Sequence, residues 1–336
     1  MDFIIKSYKK GEFLLEFRKA DILGVRVAAL TMGEAVKTAE AFMDSEKPHL
    51  IATANAEMIM RATHDTELKE ILNTADLVVP DGAGTVWASN YLGVQMPERV
   101  AGFDLVQALF ANAPAKKRRI FFFGSAPGVA EKAKAKAEKD YPGIQIVGTR
   151  DGFFTAEDEA EIIAQIKEAK PDLLLAALGV PKQEKWLKAH MQELNCPLCI
   201  GVGGTFDVMA GVMKRAPLWM QKAKLEWLFR GMLQPKRIGR LMALPRFVMI
   251  ICLWTQHLLT SGQVGQKLNL PGYLDVSWLP ASSCRQKPAR WGEWSPAVNW
   301  HLPWQSPPHR RPYFAQSPEW FSALPALRRA AADGRR

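Results

Sequence analysis

Short apolar runs rich in Val, Ile, Leu and Phe alternate along most of the chain with longer stretches whose apolar positions recur at helical spacing. Residues 22–30 alternate as a strand, and Thr31 with Glu34 forms a capping box that opens a helix to about residue 43. Residues 49–53 are a second strand, after which Met58, Ile59 and Met60 begin a helical run and residues 68–72 supply another short helix. Leu77, Val78 and Val79 make a buried type of strand closed by Pro80, with helices predicted to follow over 86–91 and 104–111. Strands at 119–123, 144–147, 173–177 and 198–202 then alternate with an Ala/Lys-rich helix after Gly128 and with helices near 156–170 and 182–194. This order predicts an α/β fold, a Rossmann-like parallel sheet with helices on both faces. There is no internal repeat and no linker before about residue 213, so residues 1–212 read as one domain.

The pattern changes beyond Met213. Lys214, Arg215, Lys222, Lys224, Arg230, Lys236, Arg237, Arg240 and Arg246 are set against a single acid, Glu226, with Trp219, Trp227, Leu228, Phe229 and the run FVMIICLW between and after them. Residues 213–254 therefore predict a basic amphipathic helical appendage, suited either to an anionic bilayer surface or to packing on the core. From 255 to 336 the chain is rich in Pro, Trp, Ser and Arg without any period, which predicts little fixed structure.

Composition adds constraints. With 336 residues, 48% apolar and 23% charged, the chain is long enough for a sizeable core. Its net charge of +10 is uneven: 34 basic residues meet 30 acidic ones over 1–254, and 10 meet 4 over 255–336. Such a balance points to phosphate, an anionic membrane surface or nucleic acid. The four cysteines are too scattered for a disulfide framework, and Cys196 with Cys199 has no second pair to complete a zinc site. No run reaches the roughly 18 to 20 apolar residues of a membrane span, and the N-terminus has no signal-type run, so a cytoplasmic protein is expected.

Candidate chemistry gathers where strands end. TANAE (53–57), PDG (80–82), FGSAPG (123–128), LGVPKQEKW (178–186) and GVGGTFD (201–207) all follow predicted strands, on the sheet edge where doubly wound proteins bind ligands. Asp81 stands at one such end, ahead of Gly82 and Gly84, which permit a tight turn and close approach of a ligand. Taken alone, PDG equally suits a helix cap. Gly124 with Ser125, and Gly203 with Gly204 and Thr205, free backbone N–H groups at helix starts, where a diphosphate is stabilised. Neither loop matches GxGxxG or GxxxxGK[ST], which argues against a dinucleotide dehydrogenase and a P-loop ATPase. Arg99 suits a phosphate or a surface ion pair. Thr53 and Asn55 suit a pocket or a turn and cap, and Gln183 and Glu184 fall in a helix's first turn, where the dipole favours Glu.

Taken in order, TANAEM, VVPDGAGTVWAS, PERVAGFDL, FFFGSAPGVAEKA, ALGVPKQEKW, GVGGTFDVMAG, KRAPLWMQKAKLEWLFR and PKRIGR resemble the WecG/TagA/CpsF glycosyltransferase family over roughly residues 20–250. The resemblance implies an enzyme that moves N-acetylmannosamine from a UDP-sugar donor to the 4-hydroxyl of undecaprenyl-diphosphate-linked N-acetylglucosamine, with inversion. Teichoic acid linkage synthesis is the commonest setting it suggests, and a uronic acid form of the donor is the alternative within the family. It makes Asp81 the catalytic base with Thr53 beside it. Arg99 and Gln183 become further pocket positions, while Arg230, Arg237 and Arg240 close over the leaving diphosphate; with the strand-end residues Asn55, Gly124, Ser125, Gly203, Gly204 and Thr205 read above, they make up the expected substrate-binding set.

It also implies no metal and no cofactor, which suits the lack of a DxD after a strand. The expected location is the inner face of the cytoplasmic membrane, held peripherally, with oligomeric state open and a homo-oligomer compatible. TANAE carries Ala54 and Ala56 where relatives often have prolines, which changes loop stiffness. A competing class, a basic nucleic-acid-binding module, requires aromatic side chains displayed with the cations and salt-dependent polynucleotide binding. The resemblance implies no nucleic-acid partner.

Overall fold

The computed structural model describes residues 17–217, 219–220, 228–229 and 243–260. Arg230, Arg237, Arg240 and the segment after 260 lie outside the described residues.

Six strands form one parallel sheet in the order β4-β3-β8-β7-β5-β6. They are β3 (His49–Ala54), β4 (Leu77–Pro80), β5 (Arg119–Gly124), β6 (Gln145–Arg150), β7 (Leu173–Ala177) and β8 (Leu198–Gly201). The inner strands read as unbroken apolar runs because both faces are covered. Ile51, Phe122, Leu175 and Ile200 pack on one face against α1 (Met32–Met43), α5 (Gly102–Lys116), α6 (Val129–Asp140) and α9 (Thr205–Met209). Leu50, Phe121, Phe123, Leu174 and Cys199 point the other way, against α3 (Thr66–Thr74), α7 (Glu159–Ala169) and α8 (Lys182–Leu194). The capping box of Thr31 and Glu34 is present at the start of α1.

The expected strand over 22–30 is instead a hairpin of β1 (Lys19–Ile22) and β2 (Val25–Ala28), paired antiparallel in a sheet of its own. Leu23 and Gly24 turn the chain at φ 53° and 83°, and Asp21 Oδ1 accepts from Gly24 N–H at 2.7 Å. Two successive positive φ values make the primed type of turn that matches strand twist. Leu23 masks the turn in the sequence, because it continues the apolar run that a turn normally interrupts. The helix expected over 104–111 is also longer, running on to Lys116.

Two features of the topology open the carboxyl edge of the sheet. From β5 the chain crosses outward to β6, whereas from the adjacent β7 it crosses the other way to β8. From β3 it crosses to the edge strand β4, whereas from the neighbouring β8 it enters α9, which packs with α6. Loops that diverge from adjacent parallel strands leave a crevice between them.

A last described helix, α10 (Ala243–Thr260), buries Phe247 and Ile251 completely. They join the core cluster formed by the hairpin, α2 (Ala56–Ala62) and Ala52, Ala54 and Val78 of the sheet, together with Ala88 of α4 (Ala83–Tyr91). Among the described residues, no helix is long and apolar enough to cross a membrane.

Candidate active site

Asp81 follows β4 directly and is half-buried. Its N–H donates to Ala54 O at 2.9 Å, and Val100 N–H donates to Pro80 O at 3.0 Å. These two bonds stitch together the end of β3, the end of β4 and the loop that carries Arg99. The N-cap of α4 is Gly82, at φ 99°, so Asp81 stands one residue outside the cap position. Gly82 has the conformation that needs glycine.

Gly84 serves a different purpose from the expected ligand approach. A Cβ there would lie 2.7 Å from Leu244 Cδ1 and 3.2 Å from Ala56 Cβ, so its bare backbone admits α10 and α2.

Thr53 and Asn55 flank the end of β3. Thr53 is buried, and its Oγ1 donates to Gly201 O at 3.1 Å, tying β3 to the end of β8. Asn55 caps α2, its Oδ1 accepting from Met58 N–H at 2.9 Å. Arg99 reaches Asp104 at 3.6 Å, and Arg215 holds the same carboxylate at 2.8 Å while stacking over Phe103. Two guanidiniums thus meet one acid at the start of α5.

The glycine loops lie over the two crevices. Gly124 adopts φ 124°, and a Cβ on it would come 2.5 Å from the Ala177 backbone, so β5 and β7 close tightly there. Ser125 N–H donates to Ala177 O, Gly152 N–H donates to Ser125 O, and Ser125 Oγ is buried without a hydrogen-bond partner. Gly203 has φ 53°, with open space where a Cβ would stand. Gly204 is the N-cap of α9, and Thr205 Oγ1 donates to Val202 O at 2.8 Å.

Gln183 and Glu184 are both buried, at 1% exposure each. Gln183 Oε1 accepts from Gly179 N–H and Gly203 N–H, both at 3.1 Å, and its Nε2 donates to Glu184 Oε1 at 2.7 Å. A first-turn Glu is an expected surface residue, so sequence reasoning missed this burial. The one available signal was the helix's apolar face, since Trp186, Leu187 and Met191 share the buried side of α8. Burial pushes the Glu184 carboxyl up to about 7, against hydrogen bonds from Gln183 and its own backbone and the attraction of Arg61.

This shift carries a stability consequence. Unfolded Glu184 releases its proton near 4.5, whereas the folded chain holds it to about 7. Between those values the folded state binds more protons, so stability falls as pH rises through the window. Glu184→Gln removes that loss, and the variant should gain roughly 3 kcal/mol relative to wild type between pH 5 and pH 8. Urea unfolding at the two pH values measures it; equal differences would exclude the buried acid as the cause.

Cys196 and Cys199 are buried free thiols, with Cys196 Sγ donating to Leu198 O at 3.3 Å. Among the described residues, no three His, Cys, Asp or Glu side chains gather to hold a metal.

Comparison with known proteins places this geometry in context. An N-acetylglucosaminyldiphosphoundecaprenol N-acetyl-beta-D-mannosaminyltransferase of Bacillus spizizenii is 35% identical over 207 residues, 62% of this chain and 80% of that protein. A protein of the same name from Bacillus subtilis is 34% identical over 210 residues, 62% of this chain and 81% of its own length. The one from Staphylococcus aureus strain NCTC 8325 is 34% identical over 232 residues, 68% of this chain and 91% of its own length. The family description "Glycosyl transferase WecG/TagA/CpsF family" matches residues 20–261, a span that takes in every described strand but the first residue of the hairpin. The chain therefore belongs to the WecG/TagA/CpsF glycosyltransferase family.

Proposed function

We propose that this chain is an inverting transferase that moves N-acetylmannosamine from its UDP donor to the 4-hydroxyl of undecaprenyl-diphosphate-linked N-acetylglucosamine. The observation that carries the proposal is Asp81 at the end of β4, laced to the end of β3 on the same sheet edge as the glycine loops, in a chain of this family. The names of its relatives supply acceptor and sugar.

In the proposed reaction Asp81 takes the proton from the acceptor 4-hydroxyl as that oxygen attacks the donor's anomeric carbon from the face opposite UDP. The carbon–oxygen bond to UDP breaks and the diphosphate leaves with the electron pair. The loops at Gly124, Ser125, Gly203, Gly204 and Thr205 receive the diphosphate against bare backbone; the N–H groups of Ser125, Gly203 and Thr205 are already given to Ala177 O, Gln183 Oε1 and Val202 O, so these residues shape the site by close approach. Arg99 adds cationic charge nearby, while Thr53, Asn55 and Gln183 hold the loop ends in register. Arg230, Arg237 and Arg240 act from the appendage on the leaving group.

Residues 1–212 form the catalytic domain, and the exposed side of residues 213–254, where Trp219, Met249 and Leu253 stand at the surface while Phe247 and Ile251 stay docked in the core, faces the inner surface of the membrane that carries the lipid acceptor. Attraction of the basic stretch to anionic lipid holds the enzyme there peripherally. UDP release from UDP-N-acetylmannosamine, with and without a lipid-diphosphate N-acetylglucosamine acceptor, tests the function. Release that depends on acceptor is expected; release only from the uronic acid donor would replace the sugar, and silence with both donors would refute the transferase.

A further inference from the structure

We propose that Glu184 is a positioning residue for the transfer reaction, holding through Gln183 the two loops that follow β7 and β8. The proposal rests on the transferase reading above for its activity assay, though not for its structural test. Gln183 is a cross-brace: one amide oxygen receives N–H groups from Gly179 in one loop and Gly203 in the other. Both glycines have positive φ and open space where a side chain would stand, so the braced loops present bare backbone to the crevice.

A glutamine amide can sit in either of two flips, and only one puts oxygen against both N–H donors. When ionised, Glu184 Oε1 at 2.7 Å from Nε2 selects that flip, because a carboxylate accepts and cannot donate. The pair lies hard against the end of β8: a Cβ on Gly201 would meet Gln183 Nε2 at 2.6 Å and Glu184 Oε1 at 3.0 Å. Gly201 O is the atom that receives the Thr53 hydroxyl, so the brace reaches three of the five strand ends of the candidate site.

Packing alone gives no reason for an acid here. Glu184 Oε2 is buried and has no hydrogen-bond partner, an arrangement that costs stability. What the acid supplies is a charge-assisted acceptor for Nε2, stronger than a neutral carbonyl when ionised. Because burial brings its ionisation to about 7, the brace tightens as pH rises through neutrality.

The charges around it are accounted for. Arg61 of α2 faces it and also donates to Val180 O. On the α3 side Asp65 and Glu67 are paired with Lys185, and on the α7 side Glu159 meets His190 while Lys167 meets Glu193. The strands under α8 offer Leu50, Leu174, Ala176 and the Cys199 thiol.

Two measurements test this on the full chain. In amide-resolved NMR, the Gly179 and Gly203 N–H signals of wild type should titrate together near pH 7, and should not titrate in Glu184→Gln. In kinetics with UDP-N-acetylmannosamine, wild-type KM should fall about threefold to tenfold from about pH 6 to about pH 8.5. Glu184→Gln should stay near the acid-limit KM throughout with kcat within about twofold, and Glu184→Ala should raise KM about tenfold at every pH. His190→Gln, as control, should keep the wild-type profile. Superimposable profiles for wild type and Glu184→Gln, or a folded Glu184→Ala with wild-type KM, would overturn the role. Titrating glycine amides in a chain that turns over no donor would leave the brace intact and remove the transferase reading instead.

Discussion

Asp81→Asn should lower kcat by about 10² to 10⁴, the usual contribution of a general base, while UDP affinity stays within about twofold. Asparagine matches aspartate in shape, so the turn through Gly82 at φ 99° and the bond from the residue 81 N–H to Ala54 O survive the change. What is lost is the ability to take a proton. The half-buried setting matters, since a carboxylate at a strand end is held by the sheet on one side and meets ligand from the other.

Single-turnover measurements with donor and acceptor both saturating give the chemical step, and calorimetry with UDP gives binding. A fall in kcat at constant UDP affinity identifies an interaction made only in the transition state. Wild-type kcat in Asp81→Asn would remove Asp81 from the base's role, and loss of UDP binding would make it a donor contact.

Much of the parallel sheet was legible because burial on both faces makes its strands unbroken apolar runs. Arg119–Gly124 and Leu173–Ala177 fall within a residue of where the pattern puts them. The hairpin was not legible, since Leu23 turns the chain with an apolar side chain at positive φ. The strand-end position of Asp81 followed from the Val78, Val79, Pro80 run, but the identity of the α4 cap as Gly82 needed the backbone.

Polar side chains are where sequence says least. Asn55 looks the same in one dimension whether it caps a helix or meets a substrate, and the structure makes it the cap of α2. Glu184 looks like a surface acid because first-turn acids usually are, and only the third dimension places it beneath Gly201. Asp104 likewise read as a helix start, whereas it gathers Arg99 and Arg215 across more than a hundred residues of sequence. Contacts of that kind have no local period to announce them.

The same distinction governs the last helix. Phe247→Ala should cost about 3 to 5 kcal/mol of global stability, the usual cost of emptying a buried aromatic site. Phe247 is fully buried with Ile251 in a cluster that includes Val25 and Val27 of the hairpin, Met58 and Ile59 of α2, and Ala52, Ala54 and Val78 of the sheet. Those last three belong to β3 and β4, the strands that lead directly into Asn55 and Asp81, and Leu244 of the same helix rests on Gly84. Docking of α10 and placement of the Asp81 turn are therefore parts of one packed unit.

A lowered urea midpoint in Phe247→Ala, with transferase activity lost over the same range in which the sheet unfolds, is the expected outcome. An unchanged midpoint would mean that α10 undocks alone, because a cavity in a cooperative core is felt by the whole transition. Activity would then report the helix and not the domain. The size of the midpoint shift thus decides whether α10 unfolds with the catalytic sheet or apart from it.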